Sequence, residues 1–337
     1  MMNIAIVGAT GNVGRKLIEV LEKKNFEISE LFLVASSKSE GKKINFNGKE
    51  HTVIDLEKFD FSKVKIAFFA AGSTIAEKWA NIAAEKTIVI DNSKFFRKDP
   101  DIPLVVPEVN SKELVQVKNK NIIANANCSV IPVVVALKPL HDLYNVRRVV
   151  ISTYQSVSGA GKEPMDELLS QTKEHFDNKK LESKYFTKQI AFNAIPHIDS
   201  FLENGYTKEE QKTTDEIKKI LDKKINVTST CVRIPVLVSH SISANVEFNK
   251  KCNLEEIRNV LSTSPGCKVV DEHKDGGYIT PVEAENKFET FISRIRLDES
   301  QLNTVNLWIV SDNLLKGAAL NAVEIAESLI DKDFYGQ

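Results

Sequence analysis

The chain has 337 residues, with 45 lysines and arginines against 46 aspartates and glutamates and a formal net charge of -1. This length favours a large buried core divided between two domains. The balanced charge excludes a global field that would attract nucleic acid or an anionic membrane, so any anion site has to be local. A short apolar run reaches a glycine at position 8 with no basic segment before it. Such a start is not typical of a signal peptide or a membrane span, and we expect a cytoplasmic protein.

The first part of the chain alternates apolar, strand-like runs with helical periodicity. The runs cover residues 3–7, 31–35, 65–71, 87–91 and 122–125. Between the first two runs, Val13, Leu17, Val20 and Leu21 have the spacing of a helix that packs on a sheet. This alternation predicts βαβ units, and hence a Rossmann-like domain of the α/β class with a parallel sheet.

Beyond about residue 145 the apolar runs are longer. They either alternate apolar with polar residues or are rich in β-branched residues. They cover residues 148–157, 230–238, 243–248, 290–297 and 303–310, and they predict an α+β domain with a mixed or antiparallel sheet. The charged stretches 179–188 and 203–224 are most simply interpreted as solvated helix faces. An amphipathic segment at 313–330 predicts a last helix that returns to the first domain. The predicted domains are therefore 1–127 with 313–337, and 128–312.

A glycine turn, Gly8-Ala-Thr-Gly11-Asn-Val-Gly14, lies between the first predicted strand and the first predicted helix. Backbone N–H groups and a helix N-terminus at this position can hold a pyrophosphate. Two residues separate its first two glycines, where the dinucleotide fingerprint has one, so an ordinary glycine turn stays an alternative.

Two further segments follow predicted strands at the same edge of the sheet. Ser36, Ser37 and Lys38 stand where an NAD-specific fold carries an acid, and hydroxyls with a lysine suit a 2′-phosphate, so we expect NADP in preference to NAD. The segment that starts at Ala71 and Gly72 consists of small residues and would let a cofactor approach. The same segment also fits a tight turn in which Ser73 or Thr74 caps the next helix, and the two interpretations can hold together.

Cys128 follows the predicted strand at 122–125 and precedes a helical pattern with Pro132 in its first turn. A helix N-terminus favours the thiolate, which is the attacking species, and its N–H groups can stabilise an oxyanion. A lone cysteine is more often a small buried hydrophobe. The other cysteines, Cys231, Cys252 and Cys267, form no C-x-x-C pair and no zinc-type cluster, so neither a structural disulfide nor a metal is expected.

A cysteine nucleophile needs a partner for proton transfer, and spacing alone does not choose among the six histidines. Arg233 and His240 lie on one predicted strand at an odd offset, so they point to opposite faces unless Pro235 or a bulge breaks the strand. On the residues alone, a solvent-facing Arg233 and a structural, hydrogen-bonded His240 are favoured.

Five motifs, taken together and in this order, resemble the bacterial aspartate-semialdehyde dehydrogenases. They are Gly-Ala-Thr-Gly-Asn-Val-Gly at 8–14, Asn-Cys-Ser at 127–129, Thr-Tyr-Gln-Ser-Val-Ser-Gly at 153–159, Phe-Asn-Ala-Ile-Pro at 192–196, and Cys-Val-Arg-Ile-Pro-Val at 231–236 with His240. The resemblance implies an NADP-binding domain and a catalytic and dimerisation domain in a homodimer. It also implies that Cys128 is the nucleophile, His240 the acid/base, Gln155 a group that orients the thioacyl intermediate, and Arg233 the clamp on the substrate α-carboxylate.

The resemblance implies further binding residues. For the substrate these are Asn127, the phosphate ligands Arg97 and Lys212, and Glu209, with Glu210 as an alternative, for the amino group. For NADP(H) they are Gly8, Thr10, Gly11, Asn12, Val13, Gly14, Ser36, Ser37, Lys38, Ala71, Gly72, Ser73, Ser158, Gly159 and Asn313. No metal is implied.

The implied reaction is the NADPH-dependent reductive dephosphorylation of L-4-aspartyl phosphate to L-aspartate 4-semialdehyde through a Cys128 thioester. It belongs to the biosynthesis of lysine, methionine, threonine and diaminopimelate. One alternative is an N-acetylglutamyl-phosphate reductase, which acts on a longer substrate with a capped amine. Another is a non-catalytic NADPH-binding sensor, because a fold does not establish a function. The expected partners are the small-molecule substrate and a second copy of the chain, without nucleic acid or membrane.

Overall fold

A computed structural model describes residues 2–331. Its strands are β1 Met2–Val7, β2 Ile28–Ala35, β3 Lys43–Phe46, β4 Lys49–Thr52, β5 Ile54–Asp55, β6 Ile66–Phe69, β7 Ile88–Asp91, β8 Leu104–Val105, β9 Ile122–Asn125, β10 Val146–Gln155, β11 Asn226–Arg233, β12 His240–Phe248, β13 Cys267–Val269, β14 Thr290–Leu297 and β15 Thr304–Ser311. Its helices are α1 Asn12–Lys23, α2 Ser73–Ala84, α3 Pro107–Asn110, α4 Val117–Lys120, α5 Val130–Tyr144, α6 Lys162–Phe176, α7 Lys208–Ile220, α8 Leu254–Thr263, α9 Pro281–Ala284 and α10 Leu320–Asp331.

The chain separates into two compact units. The first runs from the N-terminus to Ala126 and resumes at Ala318, and the second is Asn127–Gly317. The predicted domains change over at 127/128 and 312/313, within five residues of these positions. Among residues 2–331, no helix combines the length and the apolar character needed to cross a bilayer.

The first unit contains a seven-stranded sheet in the order β5-β2-β1-β6-β7-β9-β8, and every pair in it is parallel. All four residues of β6 are buried, as expected of a parallel strand covered on both faces. In α1, Leu17, Val20 and Leu21 form a fully buried stripe. The parallel, Rossmann-like sheet predicted from the sequence is thus confirmed.

The strand order positions a potential binding edge. β1 lies between β2 and β6. The strands that follow β1 are therefore placed first on one side of it and then on the other, so the order of strands reverses at β1. In open parallel sheets, ligands bind outside the carboxyl ends of the strands at such a reversal. The glycine turn follows β1, Ser36 follows β2, and Ala70 follows β6, so all three segments leave the sheet at this edge.

The second unit contains a six-stranded mixed sheet in the order β11-β10-β12-β15-β14-β13. β10 is parallel to β11 and antiparallel to β12, and the pairs β12–β15 and β14–β15 are antiparallel. Helices α5, α7 and α8 contact its strands. The predicted mixed sheet is confirmed.

One predicted element is wrong, and a second extends too far. Residues 179–188 form no helix, because α6 ends at Phe176 and its side chains bind the backbone that follows. Glu167 Oε2 accepts from Tyr185 N at 2.7 Å, and Gln171 Nε2 donates to Glu182 O at 2.7 Å. The predicted strand at 230–238 ends at Arg233, since Pro235 has no N–H for a ladder and the chain then crosses to the other side of β10.

The two remaining helical predictions differ from the structure in their bounds. Within 203–224 only α7 is an α-helix, and Thr207 and Glu210 form a capping box at its start. The segment 313–330 opens with a π-helical turn, Leu315–Ala319, before α10. The wider turn forms because Asp312 O accepts from Gly317 N at 3.0 Å while Asp312 Oδ1 caps Leu314 N and Leu315 N.

Candidate active site

Cys128 lies in the turn immediately before α5 and is partly buried. The first N–H groups of this helix point back to Asn127. Ser129 N donates to Asn127 Oδ1 at 2.8 Å, and Val130 N donates to Asn127 O at 2.9 Å. The positive end of the α5 dipole therefore lies beside the Cys128 thiol, which favours the thiolate.

His240 is the side chain that meets the thiol. Its Nε2 lies 3.3 Å from Cys128 Sγ, and the ring is fully buried at the first residue of β12. Burial, and after it the positive charge of Arg233, holds the pKa of His240 well below its ordinary value. The imidazole is therefore neutral at pH 7 in the free enzyme, and because Ser156 N donates to its Nδ1 at 3.1 Å, the ring hydrogen lies on Nε2 and faces the thiol.

The strand order brings Arg233, Gln155 and His240 to one place. Gln155 ends β10 and pairs with Arg233 at the end of β11, while its neighbour Tyr154 pairs with Ser241 of β12. The crossing between β11 and β12 thus puts Arg233 and His240 on opposite sides of the same strand end. The odd sequence offset between them is resolved by a change of strand.

Arg233 is buried, so the expectation of a solvent-facing side chain is wrong. Its Nη1 donates to Ser156 O at 2.6 Å. Burial lowers the pKa of Arg233, whereas the negative charges of Glu209 and Cys128 raise it. Because a guanidinium stays protonated at neutral pH, this site keeps a fixed positive charge with its fork beside the nucleophile.

Helix α7 contributes an ion pair, Glu209 with Lys212, to this group of side chains. Glu209 Oε1 accepts from Asn127 Nδ2 at 2.9 Å and from Gln155 Nε2 at 3.4 Å. Lys212 Nζ lies 3.1 Å from Glu209 Oε2 and donates to Asp199 Oδ2 at 2.6 Å. Burial alone would raise the pKa of Glu209, but these partners outweigh it and the pKa is lowered. Glu209 is therefore a buried carboxylate that carries its charge.

Glu210 has a different role in the same helix. Its Oε2 accepts from Thr207 N at 2.7 Å in the capping box, and its Oε1 accepts from Cys231 N at 2.9 Å. Both carboxylate oxygens are bound to backbone N–H groups. Of the two neighbouring acids, Glu209 is the one that contacts Asn127 and Gln155.

Two glycines let the backbone approach the reacting side chains. A Cβ on Gly159 would lie 3.2 Å from both Arg233 Nη1 and His240 Nε2. A Cβ on Gly317 would lie 3.0 Å from Cys128 Cβ. Neither glycine tolerates a side chain without displacing the residues that it contacts.

The predicted nucleotide-binding residues divide between the two units. In the first unit, Gly8 has φ +89, and a Cβ on Gly14 would lie 2.2 Å from Gly8 O. Gly11 is the N-cap of α1 and has no side chain to bond the first N–H groups of the helix. Ser36, Ser37 and Lys38 are exposed directly after β2.

The segment after β6 differs in one detail from the predicted turn. Gly72, with φ +83, is the N-cap of α2, so the alternative in which Ser73 or Thr74 caps this helix is wrong. Like Gly11 at the start of α1, Gly72 has no side chain to bond the first N–H groups of its helix. The two helix N-termini at this edge are therefore both capped by glycine.

Ser158 and Asn313 lie in the second unit with Gly159. Ser158 Oγ contacts both side-chain ends of Asn313, at 3.1 Å from Oδ1 and 3.0 Å from Nδ2. Arg97 lies in the first unit, where its Nη2 donates to Asn92 O at 3.0 Å. The structure therefore brings together the predicted site residues of the second unit, namely Asn127, Cys128, Gln155, Ser158, Gly159, Glu209, Lys212, Arg233, His240 and Asn313.

Three residues of this site were missed by sequence reasoning. Ser156 contacts His240 Nδ1 with both its N, at 3.1 Å, and its Oγ, at 3.0 Å. Glu216 Oε2 accepts from Asn127 N at 2.6 Å. Gly317 lies against Cys128. Only Glu216 had a usable signal, since it follows Glu209 by seven positions and so falls on the same face of α7.

Comparison with known proteins gives matches along nearly the whole chain. Residues 3–117 match the model of the semialdehyde dehydrogenase NAD binding domain, and residues 137–316 match that of the semialdehyde dehydrogenase dimerisation domain. The aspartate-semialdehyde dehydrogenase of Aquifex aeolicus is 50% identical over 331 residues, and that of Rickettsia bellii is 48% identical over 329 residues; each alignment covers 97% of both chains. A crystal structure of aspartate semialdehyde dehydrogenase II complexed with ASA from Vibrio cholerae superposes with a TM-score of 0.97, at 46% identity and 99% coverage of both chains.

Proposed function

The chain belongs to the aspartate-semialdehyde dehydrogenase family, and from this membership and its site geometry we propose that it reduces L-4-aspartyl phosphate to L-aspartate 4-semialdehyde with NADPH. The observation that carries the proposal is the 3.3 Å contact between Cys128 Sγ and His240 Nε2 beside the buried Arg233. A thiol, a neutral imidazole and a fixed cation are the groups that acyl transfer through a thioester requires.

The substrate carries an ammonium, a carboxylate and a phosphate, and the site offers a partner for each. The charged carboxylate of Glu209 suits the ammonium, since both oxygens of Glu210 are engaged with backbone. The guanidinium of Arg233 suits the α-carboxylate. Lys212 and, by family likeness, Arg97 are the cations for the phosphate. Asn127 and Gln155 connect the Glu209 carboxylate to the nucleophile segment.

In the proposed cycle, the Cys128 thiolate, which accepts a hydrogen bond from His240 Nε2, attacks the acyl carbon. The C–S bond forms, the bond from carbon to the phosphate oxygen breaks, and phosphate leaves with a thioester on Cys128. NADPH, when bound, would supply the hydride that reduces this thioester. His240 Nε2 donates a hydrogen bond to the oxygen that becomes negatively charged, and the C–S bond breaks as that oxygen forms the aldehyde carbonyl. The semialdehyde departs and the thiolate is regenerated.

The residues at the edge of the first sheet fit a dinucleotide. A side chain on Gly14 would collide with Gly8 O, so the turn is closed tightly, and the N-terminus of α1 is left without a side-chain cap. Ser36, Ser37 and Lys38 are exposed directly after β2, and their hydroxyls and ammonium suit a 2′-phosphate, which supports NADP over NAD. Turnover measured with each cofactor tests this preference, and a clear advantage of NAD would contradict it.

The test of the reaction is the phosphate-dependent reduction of NADP by aspartate semialdehyde, followed by the absorbance of the reduced cofactor. Cys128→Ala should abolish turnover while cofactor binding stays nearly unchanged. Cys252→Ala is the matched control, since it removes a partly buried thiol that has no role in this cycle. Retained turnover in Cys128→Ala would refute the nucleophile. A folded, cofactor-binding wild type without turnover would instead favour the NADPH-binding sensor.

The N-acetylglutamyl-phosphate alternative differs at the amino group. An acetylated amine has no charge for the buried Glu209 carboxylate to bind, so Glu209→Gln should leave a reductase of that substrate largely active. We expect this variant to lose activity with aspartate semialdehyde by about tenfold or more, since a charged hydrogen bond is worth about 1.5–3 kcal/mol. The reverse result, with activity on the acetylated substrate, would favour the alternative.

The second copy of the chain is proposed to bind through the second unit, which includes all of residues 137–316 that match the dimerisation domain. Sedimentation velocity tests this. A species of twice the 37.7 kDa chain mass is expected, and a monomer at assay concentration would contradict it.

A further inference from the structure

Asp199 holds the ammonium of Lys212 from the loop that leads into α7. Its Oδ2 accepts from Lys212 Nζ at 2.6 Å, and its Oδ1 accepts from Ser200 N at 2.9 Å. Ser200 O in turn accepts from the backbone N of Lys208, the first residue of α7, at 2.9 Å. The backbone of Asp199 has φ +66, in the left-handed region. The loop therefore presents a carboxylate to Lys212 and is itself tied to the start of the same helix.

The ammonium of Lys212 is shared between two carboxylates. Glu209 Oε2 lies 3.1 Å from Nζ, and Asp199 Oδ2 lies 2.6 Å from it. Burial alone would lower the pKa of Lys212, but the charge of Glu209 and the hydrogen bond and charge of Asp199 outweigh it, so the pKa is raised. Lys212 is therefore charged at neutral pH. Two carboxylates against one ammonium leave this group of three side chains with a net charge of -1.

This charge balance opposes the binding of a phosphate to Lys212. The ammonium of the substrate would neutralise Glu209, but Asp199 would still be bound to Nζ. A phosphate carries more than one negative charge at neutral pH, so it has to displace the Asp199 carboxylate from Nζ or lie beside it. The side chains of Lys212 and Asp199 are only 15% and 23% exposed, so water and salt screen the repulsion only in part.

We propose that Asp199 is a positioning residue that limits the affinity of the site for phosphate, because it competes with phosphate for the ammonium of Lys212. When acyl transfer to Cys128 releases phosphate, Asp199 takes the ammonium back, so the leaving group is held weakly and departs. In the reverse direction the same competition raises the concentration of phosphate that the enzyme needs. This inference rests on the proposed function, because it concerns the phosphate of that reaction.

Asp199→Asn tests the inference. Asparagine tolerates the left-handed backbone and keeps an oxygen for Ser200 N, while the negative charge beside Lys212 is removed. In the phosphate-dependent oxidation of aspartate semialdehyde, we expect KM for inorganic phosphate to fall by about three- to tenfold, while kcat and KM for the semialdehyde change by less than about twofold. The gain in affinity is the decisive readout, because the loss of a purely structural contact would not tighten phosphate binding.

Lys212→Ala shows whether the effect passes through the ammonium. In that background, Asp199→Asn should change KM for phosphate by less than about twofold, and the double-mutant cycle measures this coupling. Asp177→Asn is the matched control, since it removes one aspartate from an ion pair with Lys179 elsewhere in the second unit. It should keep the wild-type KM for phosphate.

An unchanged or higher KM for phosphate in Asp199→Asn would overturn the inference, and so would an equal decrease in the Lys212→Ala background. Turnover by the wild type and inactivity of Cys128→Ala would uphold the proposed function in either case, so the two can fail separately. If Asp199→Asn does not fold, Asp199→Gly decides by the same readout, because glycine also adopts φ +66 and carries no charge.

Discussion

Gly317→Ala offers the sharpest test of how closely the backbone supports the nucleophile. The added Cβ would lie 3.0 Å from Cys128 Cβ and 3.1 Å from Cys128 O, against about 3.5 Å for an ordinary carbon contact. Cys128 therefore has to move by about 0.5 Å. Since a misplacement of about 1 Å can cost about 100-fold in rate, we expect turnover to fall by about tenfold.

The Gly317→Ala substitution should reduce kcat strongly but lower the free energy of unfolding only slightly. Overpacking costs about 1–3 kcal/mol, and the better helix propensity of alanine offsets about 1 kcal/mol of it. The midpoint temperature of thermal unfolding should therefore fall by a few degrees at most, while kcat and the alkylation rate of Cys128 both change. Ala319→Gly, in the same π-helical turn, adds no atom and should keep kcat within about twofold. Wild-type turnover in a folded Gly317→Ala protein would refute the reasoning.

Variants at three other positions test the remaining parts of the site. Gly14→Ala puts a Cβ 2.2 Å from Gly8 O, so NADPH affinity measured by titration should fall more than about tenfold while the alkylation rate of Cys128 stays unchanged. Glu216→Ala leaves the buried N–H of Asn127 without its acceptor, at about 1–3 kcal/mol in chemical denaturation, whereas Glu216→Gln retains an oxygen and should recover most of it. Glu209→Gln should destabilise the protein by about 3 kcal/mol at neutral pH. Because the folded pKa of Glu209 is lowered, the unfolded state binds its proton first, so this difference is complete above the ordinary pKa of 4.5 and disappears as the pH falls through the folded value; a difference that persists at low pH would contradict the charged carboxylate.

The fold of the first unit could be predicted because its strands are buried on both faces. Continuous apolar runs separated by a stripe such as Leu17, Val20 and Leu21 have few other interpretations. The charged stretch 179–188 was misjudged for the opposite reason. Its backbone is bound by Glu167 and Gln171 of a preceding helix, and no local pattern records that partnership.

The site was predictable only in part, since its geometry depends on which strands become neighbours. The sequence puts Arg233 and His240 on one run, and the position of β10 between their strands is a tertiary choice. The motif resemblance supplied Gln155 and Glu209, whose partners lie far away in sequence. Ser156 lies inside the motif at 153–159, but the sequence assigned it no role. Its role depends on contact with the ring of His240, which is distant in sequence.

The contact between Cys128 and His240 joins residues that are 112 positions apart, and the strand that separates Arg233 from His240 has to pair on both edges before the contact can form. Closing such long loops is slow relative to forming helices, so the thiol should gain its native environment late in refolding. A time course of Cys128 alkylation during refolding would then work as a clock for assembly of the mixed sheet. The alkylation rate of the thiol that reacts with substrate in the native protein would thus report when the strands of the mixed sheet have paired.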